Sequence, residues 1–505
     1  MRSIFNYLSA SILLISVIFE SISFFCWLER AVLGENELCS LILNYESQLF
    51  NSLSAIVPLP ALLFIFSWII WPLRAFLHTR KIKIIYKKKL LEKITKIIHS
   101  ATDEVFGRSK PIRHLNSRIL TSASLVLMIL ITIYPFMPPL NPYRKIVGVD
   151  IPYYEMWLLE SNLMNDLHGV LQKAFFQYPD RPLALILLFS LWKITWLSAR
   201  QVTEYSYVLL GLLLLLATYI FTRLSGFNNF HASLAMLFTV FSYHVTTGMY
   251  AGFLANWIGL IFLYLFEGAV LAGLKRNSWR CCMAALIFQS LLLFSHANSW
   301  DMAMGILGVF FLFLFLEWLK KKENLSRPLM LLVIITVGVS LKILRNLSLG
   351  VSPGTFEAAN VAESCISLVN IKYLWGTLIY SLGSYKGISL MNPLLYFLAG
   401  LGGLAVALDN RLVSRYYAIC LVSSSIPFIF GNHIVQSRII YNLPLHIFSI
   451  FGLRVLLSFI DQFLKDEKIK EKIDLLLVLL VIFVNLNYAL RCSFYLTQIT
   501  FFPIR

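Results

Sequence analysis

The sequence has few charged side chains for its length. Only 14% of its 505 residues are Asp, Glu, Lys or Arg, and 58% are hydrophobic, whereas soluble domains carry about 25% charged residues. The mean hydropathy is +0.74. This composition excludes an ordinary soluble domain and predicts a protein that crosses a membrane several times.

Cysteine is also scarce, and its spacing carries no recognisable chemistry. The seven cysteines form no CxxC pair and no zinc pattern with nearby histidines. This excludes the common cysteine motifs for zinc and redox chemistry, but it leaves open whether Cys26 and Cys39 pair on the outer side. No small-residue cleavage site follows the first apolar run, so residues 4–26 are predicted to be a retained membrane anchor.

Acidic residues are outnumbered by basic ones, 26 to 43, which gives a formal net charge of +17. No basic face is interleaved with aromatic residues, so the excess predicts no nucleic-acid partner. It is instead typical of cytoplasmic loops, which collect Lys and Arg and face membrane lipids. The strongest basic cluster, residues 80–118, is predicted to be cytoplasmic and partly an amphipathic helix on the inner leaflet.

Many apolar runs have close to the roughly 20 residues that a spanning helix needs. They predict an all-α fold, a polytopic transmembrane helical bundle of about 13 spans. The predicted spans are 5–26, 55–77, 119–137, 202–222, 229–248, 252–273, 281–297, 301–319, 328–345, 392–409, 414–432, 441–459 and 473–491.

Two more apolar stretches, 182–197 and 366–383, are short or interrupted by Lys, Gly and Trp. If neither spans, every basic cluster falls on the cytoplasmic side, as the positive-inside rule requires. We therefore predict two units. Residues 1–118 hold two spans and the basic loop, and residues 119–505 form a transmembrane core whose first outer loop is 138–201. The prediction is a multi-pass protein of the cell membrane with its site on the extracytoplasmic face.

This topology places most polar groups near the outer ends of the helices. The group comprises Asp150, Glu155, Asp166, His168, Asp180, His244, His296, Asp301, His433 and Arg438. Charges at mid-depth are almost absent, and no internal repeat is visible. Both observations argue against a proton-coupled transporter, which needs relay groups inside its spans.

The first outer loop carries the stretch YRKIVGVDIPYYEMWLLE, residues 143–160, with three acids and three tyrosines. Gly148 and Pro152 flank Asp150 and predict a turn, because glycine permits unusual backbone conformations and proline fixes φ. The polar corner and apolar run QYPDRPLALILLFSLWKITW, residues 177–196, predict a helix that lies along the membrane surface. Asp150 is therefore expected between a span and a surface helix, beside a cleft.

This order resembles the membrane glycosyltransferases of the GT-C superfamily, which use sugars carried on a polyprenyl phosphate. GVDIPYY supplies an Asp in the first outer loop, DRPLALILLFSLW is similar to their juxtamembrane helix, and LLLLLATYIFTRLSG is similar to the span that follows it. LLLFSHANSWDMAMG and QSRIIYNLPLHIFSIFGL resemble a His-bearing outer turn and an Arg-bearing late span. The resemblance covers residues 119–491.

The resemblance implies an inverting transfer of a sugar from a polyprenyl-phosphate donor to an acceptor on the outer face. In such a reaction a carboxylate takes the proton of the acceptor hydroxyl, and a cation stabilises the leaving phosphate. Asp150 is then the candidate catalytic base, and Arg438 is the candidate phosphate-binding residue. Further candidate substrate-binding residues are Tyr153, Tyr154, Glu155, Asp180, Arg181, His296 and Asp301.

Several alternatives stay open at this point. The residue types also fit a helix cap at Asp150 and a snorkelling side chain at Arg438. The sequence leaves open whether a divalent cation, Mg²⁺ or Mn²⁺, takes part, and it does not identify a protein partner. The paired acids of some GT-C branches and the soluble C-terminal domain of oligosaccharyltransferases are absent, so transfer of a whole oligosaccharide to a protein is not expected. The alternative functions are a transporter or flippase of lipid-linked sugars and a non-enzymatic membrane scaffold.

Overall fold

The computed structural model of the chain describes residues 2–53, 85–107, 115–164, 167–322, 324–350, 392–430, 433–464 and 466–498. Nineteen α-helices and one short 3₁₀-helix make up this part of the chain, which contains no β-strand. The predicted all-α fold is therefore confirmed.

The helices follow one another with short connections. The first ten are α1 (Arg2–Val32), α2 (Glu37–Leu53), α3 (Ile85–Phe106), α4 (Ser117–Ile133), α5 (Ile151–Asn162), α6 (Leu167–Gln177), α7 (Pro182–Thr195), α8 (Ala199–Ser225), α9 (Asn229–Val240) and α10 (Tyr243–Ala251). The remaining nine are α11 (Leu254–Arg276), α12 (Trp279–Ser295), α13 (Ala297–Lys321), α14 (Ser326–Leu349), α15 (Pro393–Leu408), α16 (Leu412–Phe430), α17 (His433–Asn442), α18 (Leu445–Asp461) and α19 (Glu467–Gln498).

Seven helices of the described residues are long and apolar enough to cross a membrane. They are α1, α4 with the 3₁₀-helix that follows it, α8, α11, α13, α14 and α19, and they have 20 to 32 residues each. A helix of 20 residues rises about 30 Å, which matches the hydrocarbon core of a bilayer. The chain is therefore a membrane protein, and all seven helices coincide with predicted spans.

Two predicted spans are each broken into two helices, which corrects the prediction. The span predicted at 229–248 consists of α9 and α10, separated at Ser242, whose backbone is extended with φ −78° and ψ 160°. The Ser242 hydroxyl donates to a carbonyl at the end of α9 at 2.7 Å, which satisfies a helix-terminal acceptor. The span predicted at 441–459 is interrupted before α18 because Pro444 lacks an N–H and disfavours helical geometry in the residue before it.

Three other predicted spans are apolar helices that are shorter than the seven helices long enough to cross a membrane. They are the spans predicted at 281–297, 392–409 and 414–432. The predicted span at 55–77 and the segment 366–383 lie outside the described residues. The predicted first outer loop contains α5, α6 and α7, and α7 has only 14 residues, fewer than a span needs.

The centre of the bundle is α11. In its most apolar stretch 89% of the residues are buried, compared with 33% for α13 and 28% for α14. α11 packs against α8 and α12. α13 and α14 therefore lie at the periphery of the bundle, where their exposed leucines face lipid.

The helices α15 and α18 cross with their backbones in contact. A Cβ atom on Gly402 would collide with the carbonyl of Phe448, and one on Gly452 would collide with the carbonyl of Leu398. Small residues at a crossing let membrane helices approach closely. This contact fixes α18 in the bundle, and α18 directly follows α17, the helix that carries Arg438.

The N-terminal helix α1 packs along the last helix, α19. Cys26 and Cys39 are both buried, and both are free thiols. The Cys39 thiol donates to the Glu29 carboxylate at 3.2 Å. The pairing of these two cysteines, which the sequence left open, is therefore not formed.

The predicted topology can be tested by labelling introduced cysteines. Trp196 follows α7 and is 97% exposed, and Lys322 ends α13 at the opposite end of the bundle from Asp150. We expect an impermeant thiol reagent, added outside intact cells, to label Trp196→Cys fully and Lys322→Cys only after permeabilisation. The parent chain supplies the background from native thiols. Equal labelling of both positions in intact cells would contradict the topology.

Candidate functional site

The Asp150 loop is held by backbone hydrogen bonds to the end of α10. The Val149 N–H donates to the Tyr250 carbonyl at 3.1 Å, and the Asp150 N–H donates to the Ala251 carbonyl at 3.0 Å. Two segments that are 101 residues apart in the sequence are thereby paired. The position of Asp150 is set by main-chain contacts, which do not depend on its carboxylate.

Two glycines make this close approach feasible. Gly148 has φ +113° and Gly252 has φ +77°, a region that favours glycine. A Cβ atom on Gly252 would lie 2.7 Å from the Asp150 nitrogen, and one on Gly148 would lie 2.5 Å from the Tyr207 hydroxyl. The turn predicted from Gly148 is present, and Pro152 lies in the first turn of α5.

The Asp150 carboxylate lies at the N-terminus of α5 but makes no capping hydrogen bond. The helix-cap alternative is therefore not what the structure contains. Burial raises the pKa of Asp150 to about 6, although the positive charges of Arg181 and Arg438 act to lower it. Both arginines thus lie within electrostatic range of this carboxylate.

Asp180 and Arg181 form an ion pair before α7. The Arg181 Nη2–Asp180 Oδ2 distance is 2.7 Å. Burial works to raise the pKa of Asp180, but the charge and hydrogen bond of Arg181 hold this pKa below its usual value. Arg181 also hydrogen bonds to the hydroxyl of Tyr154, which in turn accepts the Ala255 N–H at 3.3 Å. Arg181 thereby joins α5 to α7.

His296 lies at the start of α13 and is almost fully buried. Burial, together with the charges of Arg438 and Arg181, lowers the pKa of His296 to about 3, so the ring is neutral at physiological pH. Its Nδ1 accepts the Ser299 N–H at 3.2 Å, which leaves the ring proton on Nε2. The Ala297 N–H donates to the Asp180 carbonyl at 3.0 Å, so the α12–α13 turn lies against the ion pair.

Arg438 is connected to the same turn through one residue of its own helix. The Ser299 hydroxyl donates to Asn442 Oδ1 at 2.6 Å. The Asn442 side-chain amide donates to the Arg438 carbonyl at 2.8 Å. Through these bonds α17 is aligned with α13, which brings Arg438 near His296.

These residues form one assembly, which we call the Asp150 cluster. Its members are Asp150, Tyr154, Asp180, Arg181, His296 and Arg438. Its charged members are two carboxylates and two guanidinium groups, and the buried Arg345 of α14 also interacts electrostatically with Asp180. Arg181 is paired with Asp180 at hydrogen-bond distance, and the charge of Arg438 acts on both Asp150 and His296.

Three predicted site residues lie elsewhere. Tyr153 is 47% exposed. Glu155 acts electrostatically on Glu204 of α8 and is not among the charges that act on Asp150. Asp301 is exposed and forms an ion pair with Lys342 of α14. Glu155 and Asp301 thus interact with residues outside the Asp150 cluster.

Of the predicted outer-layer residues Asp166, His168 and His433, the structure describes the side chain of one. His168 is exposed, whereas Asp166 and the side chain of His433 lie outside the described residues. Among the described residues, no three His, Cys, Asp or Glu side chains lie together in an arrangement that could hold a metal ion.

A buried polar group lies inside the bundle, and of its members the sequence singled out only His244, which was expected near an outer helix end. The His244 and His446 rings lie 5.2 Å apart, and the Tyr264 ring is 5.9 Å from that of His446. Glu267, one turn further along α11, hydrogen bonds to Tyr416. All five side chains are buried. Glu267 and His446 were visible inside predicted spans, but one sequence does not show that they face the same interior.

No protein-family model matches the chain, and no curated protein matches it either.

Proposed function

We propose that this chain is an integral membrane glycosyltransferase that transfers a sugar from a polyprenyl-phosphate donor to an acceptor, with Asp150 as the general base. The observation that carries the proposal is the position of Asp150: a carboxylate without a capping bond, half-buried, within range of Arg181 and Arg438. The resemblance to the GT-C superfamily in residues 119–491 points to the same chemistry.

The pKa of Asp150 supports its role as a base. A pKa of about 6 leaves the carboxylate mostly ionised near neutral pH while keeping it basic enough to accept a proton. General bases work best when their pKa lies near the operating pH. The fixed main-chain contacts of Val149 and Asp150 would hold the carboxylate in one place during the reaction.

The proposed reaction is a single displacement. The acceptor oxygen attacks the anomeric carbon of the donor sugar as its proton passes to the Asp150 carboxylate. A new glycosidic C–O bond forms while the bond between the anomeric carbon and the phosphate oxygen breaks. The polyprenyl phosphate leaves with the electron pair of that bond.

Arg438 would stabilise the leaving phosphate. A guanidinium group can donate two parallel hydrogen bonds to a phosphate, and such stabilisation of developing charge is a large term in catalysis. Arg181 is already bonded to Asp180 and Tyr154, so its role in this proposal is to position the wall of the cluster. The neutral His296 would offer its Nε2–H as a hydrogen-bond donor within the cluster.

The proposal can be tested with the purified full chain and a panel of polyprenyl-phosphate sugars. We expect at least one donor to be consumed, with release of polyprenyl phosphate and glycosylation of an added lipid or glycan acceptor. The Asp301→Asn variant is a matched control, because this carboxylate pairs with Lys342 outside the Asp150 cluster. Intact donors after incubation with every acceptor in the panel would contradict the proposal.

One observation favours a second candidate, a transporter or flippase of lipid-linked sugars. His244, His446, Tyr264 and Glu267 are polar groups buried inside the bundle, and a transport path needs polar groups inside the spans. Proteoliposomes distinguish the two functions. Movement of an intact lipid-linked sugar between leaflets, with no transfer to an acceptor, would favour the transporter and reject the enzyme.

A further inference from the structure

A polar pocket lies at the opposite end of the bundle from the Asp150 cluster. It is formed by the end of α13, the start of α14 and the α15–α16 connection, and has a volume of about 370 Å³, within the range of small-ligand sites. Helix α13 begins beside His296 and has 25 residues, which corresponds to about 37 Å. The pocket is therefore at the headgroup level of the other membrane face.

The pocket carries more positive than negative charge. Lys321, Arg327 and Arg415 line it, and Glu317 is the one carboxylate among the lining residues that the structure describes. Glu317 is bonded to Arg415 at 3.0 Å and to Lys321 at 2.7 Å. Among the described lining side chains, one carboxylate therefore faces three cations, an excess of two positive charges that favours an anionic ligand.

The walls of the pocket are fixed by the fold. The Arg327 Nε donates to the Leu274 carbonyl at 3.2 Å, which ties the start of α14 to the end of α11. Arg415 lies 5.7 Å from the Phe313 ring centroid, and Trp318 lines the pocket at the membrane interface, where tryptophan is enriched. The cations are thus held in a concave site instead of moving freely on a loop.

The ends of α13 and α14 that form the pocket also carry exposed leucines on other faces of the two helices. Leu316 and Leu319 of α13 are 62% and 44% exposed, and Leu325 and Leu329 near the start of α14 are 50% and 43% exposed. In a peripheral pair of membrane helices such leucines contact acyl chains. A ligand that combines a negative headgroup with acyl chains matches both the pocket and these leucines, whereas a soluble anion uses only the pocket.

We propose that this pocket, the Arg327 pocket, binds the phosphate headgroup of an anionic membrane lipid, with the acyl chains along the exposed leucines of α13 and α14. Basic pockets between membrane helices are suited to such headgroups. The site is separate from the proposed glycosyl transfer and does not depend on it.

The test is to count phosphatidylglycerol molecules bound to the purified chain by native mass spectrometry, with phosphatidylcholine as the neutral comparison. We expect Arg327→Gln and Lys321→Gln each to weaken phosphatidylglycerol binding about fivefold, as expected for one charge near a lipid headgroup. Phosphatidylcholine binding stays unchanged. Lys321 is half-exposed, so its variant tests the site even if Arg327→Gln disturbs the fold.

The matched control is Lys320→Gln, which removes the same charge from the neighbouring residue outside the pocket lining. Its binding of phosphatidylglycerol stays within twofold of the parent chain, because the surface potential alone changes little with one exposed charge. An equal loss of phosphatidylglycerol binding in Lys320→Gln would mean that surface charge alone attracts the lipid. Displacement of the lipid by equimolar inorganic phosphate would mean that the pocket takes a soluble anion. Either result overturns the proposal, as does unchanged binding in the Lys321 and Arg327 variants.

Discussion

Replacing Asp150 by asparagine is expected to lower turnover by at least about 100-fold, since a general base contributes about 10²- to 10⁴-fold. Asparagine keeps the size of the side chain but cannot accept the proton. The fold is expected to persist because the loop is held by the main-chain bonds of Val149 and Asp150 to α10. Donor affinity changes far less, because Arg438 and the lipid-facing helices remain.

The pH dependence of the parent chain gives the same experiment a second readout. Asp150 acts as a base only when ionised, so the rate is expected to rise with pH through the pKa of about 6 and then to level off. This rise is absent from the residual activity of Asp150→Asn.

The control for Asp150→Asn is Asp301→Asn, which makes the same change at the same end of the bundle. Asp301 is ion-paired with Lys342 and lies outside the Asp150 cluster, so near-normal turnover is expected. Near-normal turnover of Asp150→Asn in the same detergent would rule out Asp150 as the base. Asp180 and Glu155 would then be the next carboxylates to test.

Replacing Arg438 by glutamine is expected to weaken donor binding about 10- to 100-fold, because hydrogen bonds to charged groups contribute about 1.5–3 kcal/mol each. Turnover falls as well, since the leaving phosphate loses its cation. The positive charge of Arg438 lowers the pKa of Asp150. Its removal therefore shifts the midpoint of the pH–rate profile upward, which a residue with a purely structural role would not do.

Two further variants make the Arg438 experiment decisive. Arg438→Lys keeps the charge but loses the planar pair of N–H groups. The midpoint of the pH–rate profile is therefore unchanged, while the affinity for the sugar donor falls partly. Lys342→Gln removes a cation at the same end of the bundle but outside the cluster, and it leaves donor affinity unchanged. Normal donor affinity in Arg438→Gln would remove Arg438 from the phosphate-binding role.

The sequence by itself determined that this is an all-α membrane protein. Long apolar runs require helices because every backbone polar group must be satisfied in lipid. It also placed Asp150, Asp180, His296 and Arg438 near helix ends at one level, because span boundaries fix depth. Depth along a helix follows from counting residues, and this part of the prediction needed no tertiary contacts.

Only the tertiary structure decided which of these residues lie side by side. Lateral position depends on how helices pack, and the close approach of Gly148 and Gly252 and the Ala297–Asp180 bond determine it for the Asp150 cluster. Helix rotation decided the rest. Asp301 lies one turn after Ala297 at the right depth, but its direction around α13 pairs it with Lys342.

The interior polar residues show the same division. The sequence shows Glu267 as an acid inside a predicted span, but its hydrogen bond to Tyr416 depends on how α11 packs against its neighbours. Of the two interrupted spans, the one at Pro444 follows from proline chemistry. The one at Ser242 does not, because serine is compatible with a helix and only its surroundings favour the extended backbone observed there.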